Sequence, residues 1–139
     1  SWKGRFTVIN KRPLFIVDGA HNAGAADKMA ESVRHYFNGK KLIYIMGVFA
    51  DKEYKIVLEK TAHFAEKIYT IETPDNPRAL PAEELAKAAR VYNSSAESTK
   101  SIKDAVEKAF SCAGDDENSV ILAFGSLSFI GALTNADEK

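Results

Sequence analysis

Leu14 to Val17 runs apolar without a break and stops on Asp18-Gly19-Ala20-His21-Asn22. Two longer runs of the same kind cover Lys41–Val48, centred on Leu42-Ile43-Tyr44-Ile45-Met46, and Ser119–Phe124. Near-continuous apolar runs bounded by turn residues mark strands buried on both faces of a parallel sheet. The segments between them change period. After Asn22, apolar residues recur at Ala26, Met29, Ala30, Val33 and Phe37, the spacing of one helix face, and Gly39 supplies the stop. Tyr54, Val57, Leu58, Thr61 and Ala65 repeat the pattern. Leu85, Ala88 and Ala89 do so again behind Pro81, the expected first residue of a helix. The clearest helix holds Ile102, Ala105, Val106, Ala109, Phe110 and Ala113, with Ser98 or Thr99 as its cap and Gly114 as its close.

The weaker signals complete the pattern. Arg5 to Asn10 alternates and leads through Asn10-Lys11-Arg12-Pro13 into Leu14, which predicts an opening β-hairpin. Lys67–Glu72 reads as a third strand, Thr73–Arg78 as a rigid loop, and Val91–Ala96 as a short edge strand. A short apolar helix is expected beyond Gly125-Ser126, reaching Leu133, with frayed residues after it. Strand and helix alternate throughout, so the expected fold is α/β. It is Rossmann-like, with a mostly parallel sheet covered by helices on both faces and opened by a β-hairpin. Parallel strands bring their carboxyl ends to one edge, and the loops that follow them meet there. Those loops hold Asp18, His21, Asn22, Asp51, Lys52, Arg78 and Ser126, which makes that edge the candidate ligand site.

Composition narrows the function classes. The 139 residues amount to one domain with room for a core, and the 45% apolar and 27% charged content is ordinary for a globular protein. Lys plus Arg and Asp plus Glu both number 19, a balance that argues against a broad nucleic-acid or membrane surface. The single cysteine, Cys112, falls in a helical pattern and reads as a small buried hydrophobe. A lone cysteine fits a reducing cytosol, and no apolar run or leader suggests a membrane, so a cytoplasmic location is expected. His35 and His63 lie within helical stretches and read as surface or packing residues.

Several motifs now fall in order: Gly4-Arg5-Phe6, Asp18-Gly19-Ala20-His21-Asn22, Gly47-Val48-Phe49-Ala50-Asp51-Lys52, Pro77-Arg78-Ala79 and Gly125-Ser126-Leu127. In this order and spacing the chain resembles the C-terminal domain of folylpolyglutamate synthase and dihydrofolate synthase, within the Mur ligase superfamily. The resemblance implies an ATP-dependent ligase that activates a folate carboxylate as an acyl phosphate and joins it to L-glutamate. It implies residues 1–139 as the glutamate-ligase domain, with Arg5 and Asp18 on ATP. His21 would be the catalytic residue beside the reacting phosphate and the glutamate, and Ser126 would help hold the glutamate. Asn22, Lys52 and Arg78 are weaker candidates.

No G-x-x-x-x-G-K-[ST] loop occurs in the chain. In the family this chain resembles, the phosphate cradle and the Mg2+ ligands belong to an N-terminal ATPase domain of the same polypeptide, so the resemblance implies no metal ligand among these residues. The expected partners are folate, L-glutamate, ATP and that domain, in a monomer with no nucleic acid and no membrane. Alone, the fragment is expected to be inactive. Two other readings stay open: the C-domain of another Mur-type amino-acid ligase, and a free-standing Rossmann-like nucleotide-binding module.

Overall fold

The computed structural model describes residues 6–126 and Gly131. Its strands are β1 (Thr7–Lys11), β2 (Leu14–Val17), β3 (Lys41–Met46), β4 (Ala65–Thr70), β5 (Ala96–Ser98) and β6 (Ser119–Phe124). They form one sheet in the order β1-β2-β6-β3-β4-β5. The β1–β2 pair is antiparallel, the expected opening hairpin. All the other neighbouring pairs are parallel.

The helices are α1 (Ala23–Tyr36), α2 (Tyr54–Thr61), α3 (Ala82–Arg90) and α4 (Ile102–Ala113). Side chains alternate across the sheet, so each buried strand feeds two cores. Ile16, Tyr44, Ile68 and Leu122 pack with Met29, Val33, Leu58 and Leu85 from α1, α2 and α3. Phe15, Ile43, Ile45 and Ile121 pack with Ile102, Ala105 and Ala109 from α4. The split follows from handedness. The outward crossovers from β2 through β5 place their helices on one face. The return from β5 to β6 runs the other way, so a crossover of the same hand must use the opposite face.

The returning strand fixes the site. β6 pairs with β2, where Val17 faces Ala123, and with β3, where Met46 faces Phe124. The turn after β6 therefore emerges between those after β2 and β3. Tyr44 anchors the centre: its hydroxyl donates to the Thr61 carbonyl at 2.8 Å, and its ring meets Phe124 edge-on at 4.9 Å. Burial pushes the Tyr44 phenol strongly up.

Several boundaries differ from the sequence reading. Ala65 opens β4 instead of extending α2. Thr61 donates to the Val57 carbonyl, and after it the chain tightens into a 3-10 turn at Ala62–Phe64. The edge strand is Ala96–Ser98, since Val91 and Tyr92 lie exposed and Asn93 ends that turn. Asn93 Nδ2 donates to the carbonyls of Ala62 and Ala65, while its Oδ1 accepts from Ser95. Ser101 caps α4, its Oγ accepting from Asp104 N–H. The two expected caps are engaged elsewhere, Ser98 on Glu83 and Thr99 on the Thr70 carbonyl. Pro81 occupies the position before α3, whose fully buried residues are Leu85, Ala86 and Ala89, with Ala88 partly buried. Of the expected helix beyond Ser126, only Gly131 lies among the described residues, and it is helical. Among those residues, no helix is long and apolar enough to cross a membrane.

Candidate functional site at the carboxyl edge

Each turn at this edge is shaped by its own sequence. After β2, Asp18 is buried and its Oδ1 accepts from Ala20 N–H at 2.7 Å, a tight side-chain turn. The chain then turns through His21, whose Nδ1 lies 2.8 Å from the Gly19 carbonyl oxygen. A carbonyl can only accept, so Nδ1 carries the proton and Nε2 is the nitrogen left for a ligand. Asn22 follows as the N-cap of α1, with its Oδ1 accepting from Ala25 N–H at 2.9 Å.

The turn after β3 is tied to the loop after β4. Ala50 N–H donates to the Arg78 carbonyl, and Leu80 N–H donates to the Val48 carbonyl. An isolated antiparallel bridge joins Phe49 to Ala79. Asp75 sits in the left-handed region at φ 56, which an Asp tolerates, and Asn76 Oδ1 accepts from Arg78 N–H. Across the bridge, Arg78 pairs with Asp51 and lies 4.6 Å above the Phe49 ring. The hydrogen bond from Arg78 holds the Asp51 carboxyl below the usual carboxylate range. Gly125 then brings the β6 turn directly against the Gly47 backbone.

These turns enclose a cavity of about 320 Å³ lined by His21, Phe49, Lys52, Asn76, Arg78, Gly125 and Ser126. A wider concavity of about 620 Å³ lies over β4, β5 and α4. Most of its charges are already paired with one another, Lys67 with Glu97 and Lys108 with Glu97 and Asp104. The smaller cavity is the better candidate, because the turns that follow the parallel strands converge on it.

The structure brings together His21, Lys52, Arg78 and Ser126 from the sequence-predicted set. Asp18 is buried beneath the first turn, and Asn22 spends its side chain on capping. Arg5 lies outside the described residues. Sequence reasoning missed Phe49 and Asn76 as lining residues; a large apolar side chain between Gly47 and Asp51 was the available signal. It also missed Glu53, whose Oε1 accepts from Ala23 N–H at the start of α1. His35 and His63 are exposed and lie against their neighbours Tyr36 and Phe64, as expected of packing residues. Cys112 is partly buried against the second core, less deeply than expected.

Residues 4–127 match the family described as Mur ligase, glutamate ligase domain. This chain belongs to that family. Among the relatives of this glutamate ligase domain is the dihydrofolate synthase/folylpolyglutamate synthase of Bacillus subtilis. It is 28% identical over 94% of the chain and 29% of its own length. Folylpolyglutamate synthase of Mycobacterium tuberculosis, solved with ADP and AMPPCP, superposes with a TM-score of 0.85 at 25% identity. That match covers 98% of this chain and 32% of the other. The bifunctional enzyme of Yersinia pestis, solved with AMPPNP and a Mn ion, shares the fold at a TM-score of 0.80 and 24% identity. It too is covered over 32% of its length, and over 100% of this chain. The glutamate ligase domain described here thus spans about three-tenths of the length of each of these three proteins.

Among the described residues, no group of His, Cys, Asp or Glu side chains is arranged to hold a metal ion. The buried acid Asp18 already accepts a backbone N–H. The described residues do not by themselves offer the donor set of a divalent metal centre.

Proposed function

We propose that residues 1–139 are the C-terminal, glutamate-adding domain of an ATP-dependent ligase acting on a folate through an acyl phosphate. Dihydropteroate is the second acceptor to test. The observation that carries this reading is the convergence of His21, Lys52, Arg78 and Ser126 on one cavity within a glutamate ligase domain. The relatives' names and bound nucleotides support ATP and a folate as substrates. The manganese bound to the Yersinia pestis enzyme supports a divalent metal, which this reading places with the ATPase domain.

The roles follow from chemistry. Lys52 and Arg78 set positive charge at the cavity rim, suited to the carboxylates of glutamate. Ser126 offers a hydroxyl to the same substrate. His21, oriented through Nδ1, presents Nε2 where an amine must lose a proton as it attacks the acyl phosphate. Asp18 holds the turn, and with Arg5 it would meet the nucleotide. With no phosphate-binding loop in this chain, the domain is read as acting with an ATPase domain of the same polypeptide, and the lone cysteine fits the cytoplasm.

Steady-state kinetics of the full-length protein test this. His21→Ala should lower kcat about a hundredfold with little change in the ATP requirement. Ser126→Ala should mainly raise the KM for glutamate. Wild-type kinetics from a well-folded His21→Ala enzyme would remove His21 from the site. The isolated chain should bind ATP no more tightly than about millimolar, and micromolar binding by calorimetry would favour a free-standing nucleotide module.

A further inference from the structure

We propose that Asp51 is a positioning residue, fixing Arg78 so that one open edge of the guanidinium meets a carboxylate of the incoming amino acid. This rests on reading the edge cavity as the amino-acid site. A guanidinium offers two edges that can each grip a carboxylate pairwise: the side edge, Nε with Nη2, and the end edge, Nη1 with Nη2. Asp51 occupies the side edge. Nε lies 3.2 Å from Oδ2, and Nη2 lies 3.1 Å from Oδ1 and 3.0 Å from Oδ2. No hydrogen bond from Nη1 is made to the described residues. One flat face is covered by Phe49. The backbone beneath is held by Asn76 and by the Ala50 N–H, which donates to the Arg78 carbonyl.

The guanidinium is therefore fixed along one edge, over one face and at its backbone, and Arg78 itself lines a cavity shared with His21, Lys52 and Ser126. Stability does not explain the arrangement. The Arg78 and Asp51 side chains are 47% and 59% exposed, and ion pairs that open to water contribute little to folding. What a bidentate, stacked arginine gains is a fixed direction, so less rotamer freedom is lost when a ligand binds. Of the two cations that line the cavity, Arg78 is paired with Asp51, and Lys52 makes no ion pair among the described residues.

The experiment uses the full-length protein and reads kcat and KM for glutamate and ATP separately, alongside melting temperature. Asp51→Asn keeps the size and removes the charge. It should raise the KM for glutamate about tenfold, with kcat within about threefold and the KM for ATP and the melting temperature unchanged. Asp51→Glu should recover part of the loss. Arg78→Ala should raise the glutamate KM at least as far, and the double variant should add nothing further, since Asp51 acts through Arg78. If Arg78→Ala raises the glutamate KM and Asp51→Asn does not, the positioning role is wrong and the cavity reading survives. If neither variant moves it, both are wrong. A parallel fall in kcat and melting temperature for Asp51→Asn would also overturn the proposal.

Discussion

A Cβ placed on Gly125 would collide with the carbonyl oxygen of Gly47, so the turns after β6 and β3 touch backbone to backbone. Gly125 also has φ 129, in the region that favours glycine. The contact follows from β6 lying beside β3, and it carries Ser126 to the cavity rim. Gly125→Ala should therefore cost roughly 2–4 kcal/mol of folding stability, from strain and forced backbone displacement together. Urea denaturation would show it, and a loss below about 1 kcal/mol would mean the turns can separate cheaply.

Asn22 separates capping from catalysis. Its side chain closes the first turn of α1 and is absent from the cavity lining. Asn22→Ala should lower stability by about 1 kcal/mol, and Asn22→Asp should restore it. Thermal melts of the two variants check this. A full-length Asn22→Ala enzyme should keep its glutamate KM, and a large rise would return Asn22 to the site.

Tyr44 sets an alkaline limit. Its phenol is fully buried and pushed up, and burial also raises Tyr69, to about 12. A folded pKa above the unfolded value near 10 contributes stability that is complete below pH 10 and falls as pH rises further. For Tyr44 the slope is about 1.4 kcal/mol per pH unit. Tyr44→Phe should lose about 1 kcal/mol at pH 7, with the Thr61 carbonyl left without its donor, and should show a shallower decline above pH 10. Denaturation at pH 7 and pH 11 distinguishes the two effects.

The acid limb has the opposite sign. Asp51 is held low chiefly by Arg78, Glu83 by Ser98 and then Arg90, Glu97 by Lys67, and Asp104 by the Lys100 backbone N–H. Depressed carboxylates contribute above their unfolded pKa, and the contribution is lost as pH falls through the folded value. All four groups are open to solvent, so each contribution is small and the summed loss below about pH 4 should be modest. High salt should reduce the part owed to ion pairs. Melting curves at pH 7 and pH 3, with and without salt, measure it; a loss that salt leaves unchanged would assign it to the neutral donors, Ser98 and the Lys100 N–H, and not to the ion pairs.

The sequence by itself determined the buried strands, the helices behind them and the Asp18–Asn22 turn. Apolar periodicity and a capping asparagine are local properties, and a six-residue run such as Ser119–Phe124 is too apolar to lie anywhere except between helical layers. The convergence of His21, Lys52, Arg78 and Ser126 was also legible, because parallel strands put their following loops on one edge. Tertiary structure alone decided the rest. The residue pattern pointed to Ser98 or Thr99 as the cap of α4, but Glu83 and the Thr70 carbonyl engage those two and Ser101 caps the helix. Nothing local places β6 between β2 and β3, and only that order presses Gly125 on Gly47. The grip of Asp51 on Arg78 over Phe49 joins residues 27 positions apart. It exists because two loops pair through their backbones once the sheet has formed, a long-range hydrogen-bonding choice that no residue pattern within either loop encodes.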